Sequence, residues 1–309
     1  MSTEDATVGV GLDIGATKTL GLVVGSDGQI HAEVREPTEP GAEGIVRTAA
    51  RVVELLRAQA DDALVGPVGV GIPGLVDVER GAVKHAVNLG VDGEWFPLRR
   101  LLAERLGVPV VVENDVNAAT LGAVALSGAD DLVYLSIGTG LAAGLVLEGR
   151  LRRGAHGAAG EIGHVPVDPA GAVCQCGQRG CLETVASGSA LAAAWPSAGA
   201  PAAQALFAAA AAGDPRAIEV RDRFAAGVAA AVRVLGLSVD VETVVLGGGV
   251  AQLGEPLLEA VASALRSQAV DSPFLASLDL AGRLSVVPAD YPVAAVGAAI
   301  LGRPEMLDQ

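Results

Sequence analysis

Short β-branched and leucine-rich runs alternate along the chain with stretches in which apolar residues recur every three to four positions, so the pattern predicts alternating strands and helices. Residues 7–13 read as a strand, the turn Gly15-Ala16-Thr17 interrupts it, and residues 19–24 read as a second strand; together they predict a hairpin with a polar, glycine-bearing tip. Ile45, Ala49, Val52, Val53 and Leu56 then share one helical face, opposite Arg47, Arg51, Glu54 and Arg57. A buried strand at Val68–Ile72 ends at Pro73-Gly74. Leu98–Leu106 reads as helix, residues 110–112 as a short strand, and residues 114–126 as helix again, with Asn114 or Asp115 as its cap. A second hairpin pattern follows, in which residues 132–136 and 145–147 flank Gly138-Thr139-Gly140. Beyond a loop-rich segment at 149–181, alanine-rich helices extend to about residue 237. Residues 243–246 then read as a strand, and Gly247-Gly248-Gly249 leads into another helix.

The two glycine-tipped hairpins, each followed by further α/β material, predict two similarly built halves facing a cleft, with the boundary near residue 117. That division makes 1–117 a smaller N-terminal α/β domain and 118–292 a larger one.

The three glycine-rich tips change the picture from architecture to ligand. In Asp13-Ile14-Gly15-Ala16-Thr17-Lys18 small residues allow the backbone to approach a phosphate, and Thr17 and Lys18 add donors; an ordinary turn with a surface lysine has the same composition. Gly138-Thr139-Gly140-Leu141-Ala142-Ala143 satisfies a bare G-x-G-x-x-A string, but strand-like residues follow it, so the dinucleotide reading fails on context. No G-x-x-x-x-G-K-[ST] string occurs, which excludes a P-loop. Gly247-Gly248-Gly249 suits either a nucleotide lying against backbone or a tight strand-to-helix turn. Together the three tips favour a phosphate ligand gripped from both halves. Asp115 ends a short buried strand, where a carboxylate can serve as a base or cap the following helix.

The formal charge of −15 opposes any broad nucleic-acid or anionic-membrane surface, so a phosphate pocket here must be locally positive. No apolar run reaches the ~18–20 residues of a membrane helix and no basic-then-apolar leader is present, so the expectation is a cytoplasmic protein without membrane or nucleic-acid partners. All three cysteines fall between Cys174 and Cys181, and the odd number speaks against a disulfide framework. With His164 they form H-x9-C-x-C-G-x-x-G-C, a complete Cys3His set for a closed, structural zinc site, with His156 as a competing fourth ligand.

The string from Gly154 to His164 (GAHGAAGEIGH), continuing to Cys174-x-Cys176-Gly177-x-x-Gly180-Cys181-Leu182-Glu183, resembles the signature of the ROK family of repressors, open reading frames and sugar kinases. Asp13–Lys18 (with Ala16 where many members have glycine), Gly71-Ile72-Pro73-Gly74, Asn88-Leu89, Glu113-Asn114-Asp115-x-Asn117 and the two later glycine tips fall in the family's order. The resemblance implies an actin-like ATPase (ribonuclease-H-like) α/β fold of two domains around a cleft, with a last helix at about 293–309 returning to the first domain. It implies transfer of phosphate from ATP with Mg²⁺ to a hexose, glucose first, with fructose, mannose, N-acetylglucosamine or N-acetylmannosamine as alternatives. Asp115 would be the base; Asn114, Glu161, His164 and Glu183 would hold sugar hydroxyls, with Gly74 and Asn88 nearby. Asp13, Gly15, Ala16, Thr17 and Lys18, with Gly138, Thr139, Gly140, Gly247, Gly248 and Gly249, would surround the nucleotide, Asp13 positioning Mg²⁺ through water. A homodimer or homotetramer is implied as well. The family's repressors carry an N-terminal helix-turn-helix, for which a phosphate strand beginning at about residue 7 leaves no room.

Overall fold

The computed structural model describes residues 9–59 and 66–303. Thr7 and Val8 of the expected first strand, and residues 304–309 of the expected last helix, lie outside the described residues. The chain divides into two compact units, the first comprising residues up to Gly128 with Gly154–Gly157 and the segment from Pro292, the second Ala129–Arg153 with Ala158–Tyr291.

In the first unit, strands β1 (Gly9–Ile14), β2 (Lys18–Val24) and β3 (Ile30–Pro37) lead to helix α1 (Ala42–Gln59). Strand β4 (Val68–Ile72), the small hairpin β5 (Leu75–Asp77) and β6 (Ala82–Lys84), helix α2 (Leu98–Leu106), strand β7 (Val110–Asn114) and helix α3 (Asp115–Ser127) follow. The second unit holds β8 (Leu132–Ile137), β9 (Leu141–Leu147), β10 (Arg150–Leu151), α4 (Glu183–Ala186), α5 (Gly188–Ala194), α6 (Ala202–Ala211), α7 (Pro215–Val239) and β11 (Thr243–Gly247). It ends with α8 (Glu255–Ala269), α9 (Pro273–Leu278) and β12 (Leu284–Val286), after which α10 (Val293–Leu301) belongs again to the first unit.

The two main sheets have the same plan. One runs β3-β2-β1-β4-β7 and the other β10-β9-β8-β11-β12. In each, the first three strands of the order pair antiparallel and the last three parallel. The physical reason is connection length: tight turns join the antiparallel pairs, whereas parallel neighbours need helical crossovers such as α1, α2 and α8. The echo read from two hairpins therefore extends to whole sheets.

Three expectations need correction. Strand β3 was absent from the pattern because, as the edge strand, it exposes most of its residues and fully buries only Val34, leaving no apolar alternation to read. The boundary expected at residue 117 falls inside α3, a continuous helix that belongs to the first unit, and the units part after Gly128. Gly247-Gly248-Gly249 leads not directly into an α-helix but into a 3-10 segment, Gly249–Leu253, with α8 starting at Glu255.

Helix α10 (VAAVGAAIL) explains Gly9 and Gly11 of β1 and Gly69 of β4. A Cβ on Gly69 would overlap the Ala298 carbonyl oxygen, and one on Gly11 would overlap backbone atoms of Ala295 and Ala299. Helix and strands thus meet backbone to backbone, a closeness that only small residues permit. Gly69→Ala should cost about 2 kcal/mol or more, since the obstacle is main chain and cannot rotate away. An unfolding free energy from chemical denaturation within about 0.5 kcal/mol of wild type would contradict this packing. Among the described residues, no helix is long and apolar enough to cross a membrane.

Candidate functional site

In the first unit the predicted residues gather at the carboxyl ends of parallel strands. Register aligns Asp13 of β1 with Gly71 of β4, and Gly71 with Glu113 of β7, so Asp13, Gly74, Asn114 and Asp115 share the edge where ligands meet open α/β sheets. Asn114 is the cap of α3: its Oδ1 accepts from the N–H groups of Val116 (2.9 Å) and Asn117 (3.3 Å), and its Nδ2 donates to the Gly74 carbonyl (3.0 Å). The cap role open to either residue in the sequence thus falls to Asn114, and Asp115 occupies the first turn with Oδ1 accepting from the Val116 N–H at 3.0 Å. Glu113, which the sequence reading named within the motif but gave no role, holds this turn in place. It is 2% exposed, and its Oε1 accepts from the Asn114 N–H (2.9 Å) and Asn117 Nδ2 (3.0 Å). The available signal was a lone carboxylate closing the apolar run Val110-Val111-Val112.

Gly15, Ala16, Thr17 and Lys18 form the β1–β2 turn, closed by the Gly15 N–H donating to the Lys18 carbonyl at 3.0 Å, with Ala16, Thr17 and Lys18 exposed. Gly74 has φ +105° and a Cβ there would press on the Lys84 carbonyl, 2.7 Å away, so glycine is required. Asn88 is exposed on the 3-10 turn Val87–Leu89 beyond that hairpin.

The second unit places the other two tips side by side, because β8 and β11 are parallel neighbours with Gly247 opposite Ser136. Gly248, at φ +81°, lies against the Ile137 backbone, and its N–H donates to the Tyr134 hydroxyl at 3.2 Å. Gly138, Thr139 and Gly140 turn the β8–β9 hairpin.

The metal cluster is in the same unit. Ligand atoms of His164, Cys174, Cys176 and Cys181 all lie within 4.8 Å of one another, and His156 is not among them. Cys176 Sγ and Cys181 Sγ are 3.7 Å apart, and Cys174 Sγ is 3.8 Å from His164 Nδ1. Sulfurs on a tetrahedral zinc with bonds near 2.3 Å would be separated by about 3.8 Å, so the donor set and spacing fit that ion. Burial and the neighbouring thiols push Cys181 up to about 12, whereas hydrogen bonds with the Gln178 side chain and backbone pull Cys176 down to about 6. A dication would favour the thiolate at every sulfur. Glu161 immediately precedes the 3-10 turn Ile162–His164 and places Oε2 3.9 Å from His164 Nε2.

The sequence model of the ROK family matches residues 9–302. The chain belongs to the ROK family. It is 35% identical to a glucokinase of Thermotoga maritima, an alignment covering 90% of this chain and 96% of that one. A ROK hexokinase from Thermus thermophilus superposes with a TM-score of 0.80 at 33% identity, covering 98% of this chain and all of that one. A ROK glucokinase from Streptomyces griseus, solved with glucose and AMPPNP, superposes with a TM-score of 0.77 at 33% identity, covering 96% and 99%. The fold is the actin-like ATPase fold.

Electrostatically, the first unit of this ROK protein holds two carboxylates against their preference. Burial, then the charge of Asp115, raises Asp13 from 3.8 to about 6, with Lys18 pulling the other way. Burial raises Asp115 too, opposed by the backbone N–H groups of Val116 and Asp115. A folded-state pKa above the unfolded one contributes stability that is complete below the unfolded value and lost as pH rises through the folded value. Charged Asp13 therefore costs stability at neutral pH, on the order of 3 kcal/mol for a shift of about two units. Asp13→Asn should raise the denaturation midpoint at pH 7.5 in protein free of Mg²⁺ and nucleotide, and the gain should vanish near pH 4. A variant equally or less stable at both pH values would contradict this burial.

Proposed function

We infer that this protein is an ATP-dependent sugar kinase, and propose that it phosphorylates glucose to glucose 6-phosphate. The observation that carries this reading is the whole-length likeness to the Streptomyces griseus glucokinase solved with glucose and AMPPNP. A coupled ADP-release assay over glucose, mannose, fructose and the N-acetylated hexosamines tests it. Turnover of glucose with the highest kcat/KM is expected; no ADP release with any of them would overturn the kinase, and a preference for another sugar would overturn glucose alone.

Asp115 takes the proton from the attacking sugar hydroxyl. Its support is a raised pKa at a strand end, with Asn114 and Glu113 fixing the turn around it. Glu161, His164, Glu183 and the remaining capacity of Asn114 hold sugar hydroxyls, near Gly74 and Asn88. Backbone N–H groups of the three glycine tips other than those of Gly15, Gly138 and Gly248, which are bonded within the protein, receive phosphate oxygens with Thr17 and Lys18. The nucleotide comes with a divalent cation, which neutralises charge on the transferred phosphoryl group, and Asp13 helps hold it. His164, Cys174, Cys176 and Cys181 hold zinc, which stiffens the loop that carries Glu161 and Glu183. A cytoplasmic setting suits three cysteines outside any disulfide and an ATP-using reaction, and we propose a homodimer or homotetramer acting on small molecules, with light-scattering mass as the check.

Turnover should vanish in EDTA and return with Mg²⁺ alone. Full activity after exhaustive chelation would reject the assigned phosphoryl chemistry.

A further inference from the structure

One seven-residue segment of the second unit, residues 183–189, holds the Gly138-Thr139-Gly140 tip at three points. The Gly188 N–H donates to the Gly138 carbonyl at 2.7 Å and the Ser189 N–H to the Thr139 carbonyl at 3.2 Å. The third bond runs the other way: the Leu141 N–H donates to Glu183 Oε2 at 3.0 Å. These contacts dictate glycine at 188, where a Cβ would stand 2.6 Å from the Gly138 carbonyl oxygen, and at Gly140 a Cβ would displace the Glu183 carboxylate from its place. The segment is itself anchored. Its first residue follows Cys181 by two positions, the Leu182 N–H donates to the Val165 carbonyl at 3.0 Å, and Ser187, 1% exposed, caps α5 by accepting from the Ala190 N–H at 3.1 Å.

We propose that Glu183 is a positioning residue for the nucleotide as well as a sugar ligand, its carboxylate setting the shape of the phosphate-gripping tip through Leu141. The proposal rests on the kinase reading above and deepens it. A carboxylate that only bound sugar would have no need of the Leu141 N–H, and an ionised acceptor on a backbone donor is among the stronger hydrogen bonds available. With one oxygen committed to the tip, Glu183 joins the residues that grip phosphate to those that grip sugar. Loss of the bond frees the tip to sample conformations other than the one that accepts phosphate, and nucleotide affinity falls in proportion to the time spent there.

The test is calorimetric titration of Mg²⁺·ADP into wild-type, Glu183→Ala and Glu183→Gln proteins without sugar, with hydrogen exchange of the peptide spanning the tip read alongside. Glu183→Ala should weaken ADP binding at least about fivefold and speed exchange at the tip, because Leu141 loses a charge-assisted acceptor. Glu183→Gln, whose amide oxygen can still accept from Leu141, should recover most of both while sugar binding stays impaired. ADP affinity unchanged in a folded Glu183→Ala protein would overturn the positioning role and leave the kinase intact. A wild-type protein that neither binds ADP nor releases it from ATP with any of the sugars would overturn the kinase reading, and this proposal with it.

Discussion

Asp115→Asn is expected to lower kcat at least about a hundredfold with a much smaller change in KM, because an amide of the same shape cannot take the hydroxyl proton. The structure sharpens this substitution. Helix α3 is capped by Asn114, whose Oδ1 already receives the Val116 and Asn117 N–H groups, so changing Asp115 leaves the cap in place. The side chain also accepts from Val116 through Oδ1, which an asparagine can reproduce. Burial holds Asp115 above the usual carboxylate range, so kcat/KM should fall on the acid side at a higher pH than for an exposed aspartate. In a loose transition state the proton leaves late, and part of the loss should come from poorer aim of the oxygen at phosphorus. A folded Asp115→Asn protein with kcat within about threefold of wild type would reject the base assignment.

Removal of one metal ligand should act on stability and on sugar affinity together. Elemental analysis of freshly purified protein is expected to find one zinc per chain, and Cys176→Ser to abolish it. The cysteine loop has little apolar material of its own: Cys174 and Cys181 are buried, but Cys176, Val165, Val167 and Val173 are exposed. Without the ion, its order would rest on short bridges such as Val173 with Arg179 and Pro166 with Cys181. Cys176→Ser should therefore lower the thermal midpoint by several degrees and raise KM for sugar roughly 10- to 100-fold, because Glu161 and Glu183 flank the loop. Metal-free protein with wild-type sugar affinity would remove zinc from the account.

Strands β4 and β11 and helices α1 and α2 were legible along the chain because each carries a periodicity set by its own burial: a continuous apolar run for strands covered on both faces, a one-sided stripe for helices; α3, without such a stripe, was legible from the cap residues at its start. The Cys3His set was legible because its four ligands fall within eighteen residues and the chain spends every cysteine there. The three glycine tips could be read as phosphate-binding candidates, but not which other residues support them. Tertiary structure alone decided that Asn114 rather than Asp115 caps α3, that Glu113 holds the turn, and that Glu183 reaches Leu141 forty-two positions earlier. Only there does it emerge that Gly69 faces α10, more than two hundred residues away. Local periodicity reports which face of an element is covered, whereas the partner of a single hydrogen bond or a backbone contact depends on which strands become neighbours. That choice is made by the crossovers that set the sheet order, and it leaves no mark on the residues taken one segment at a time.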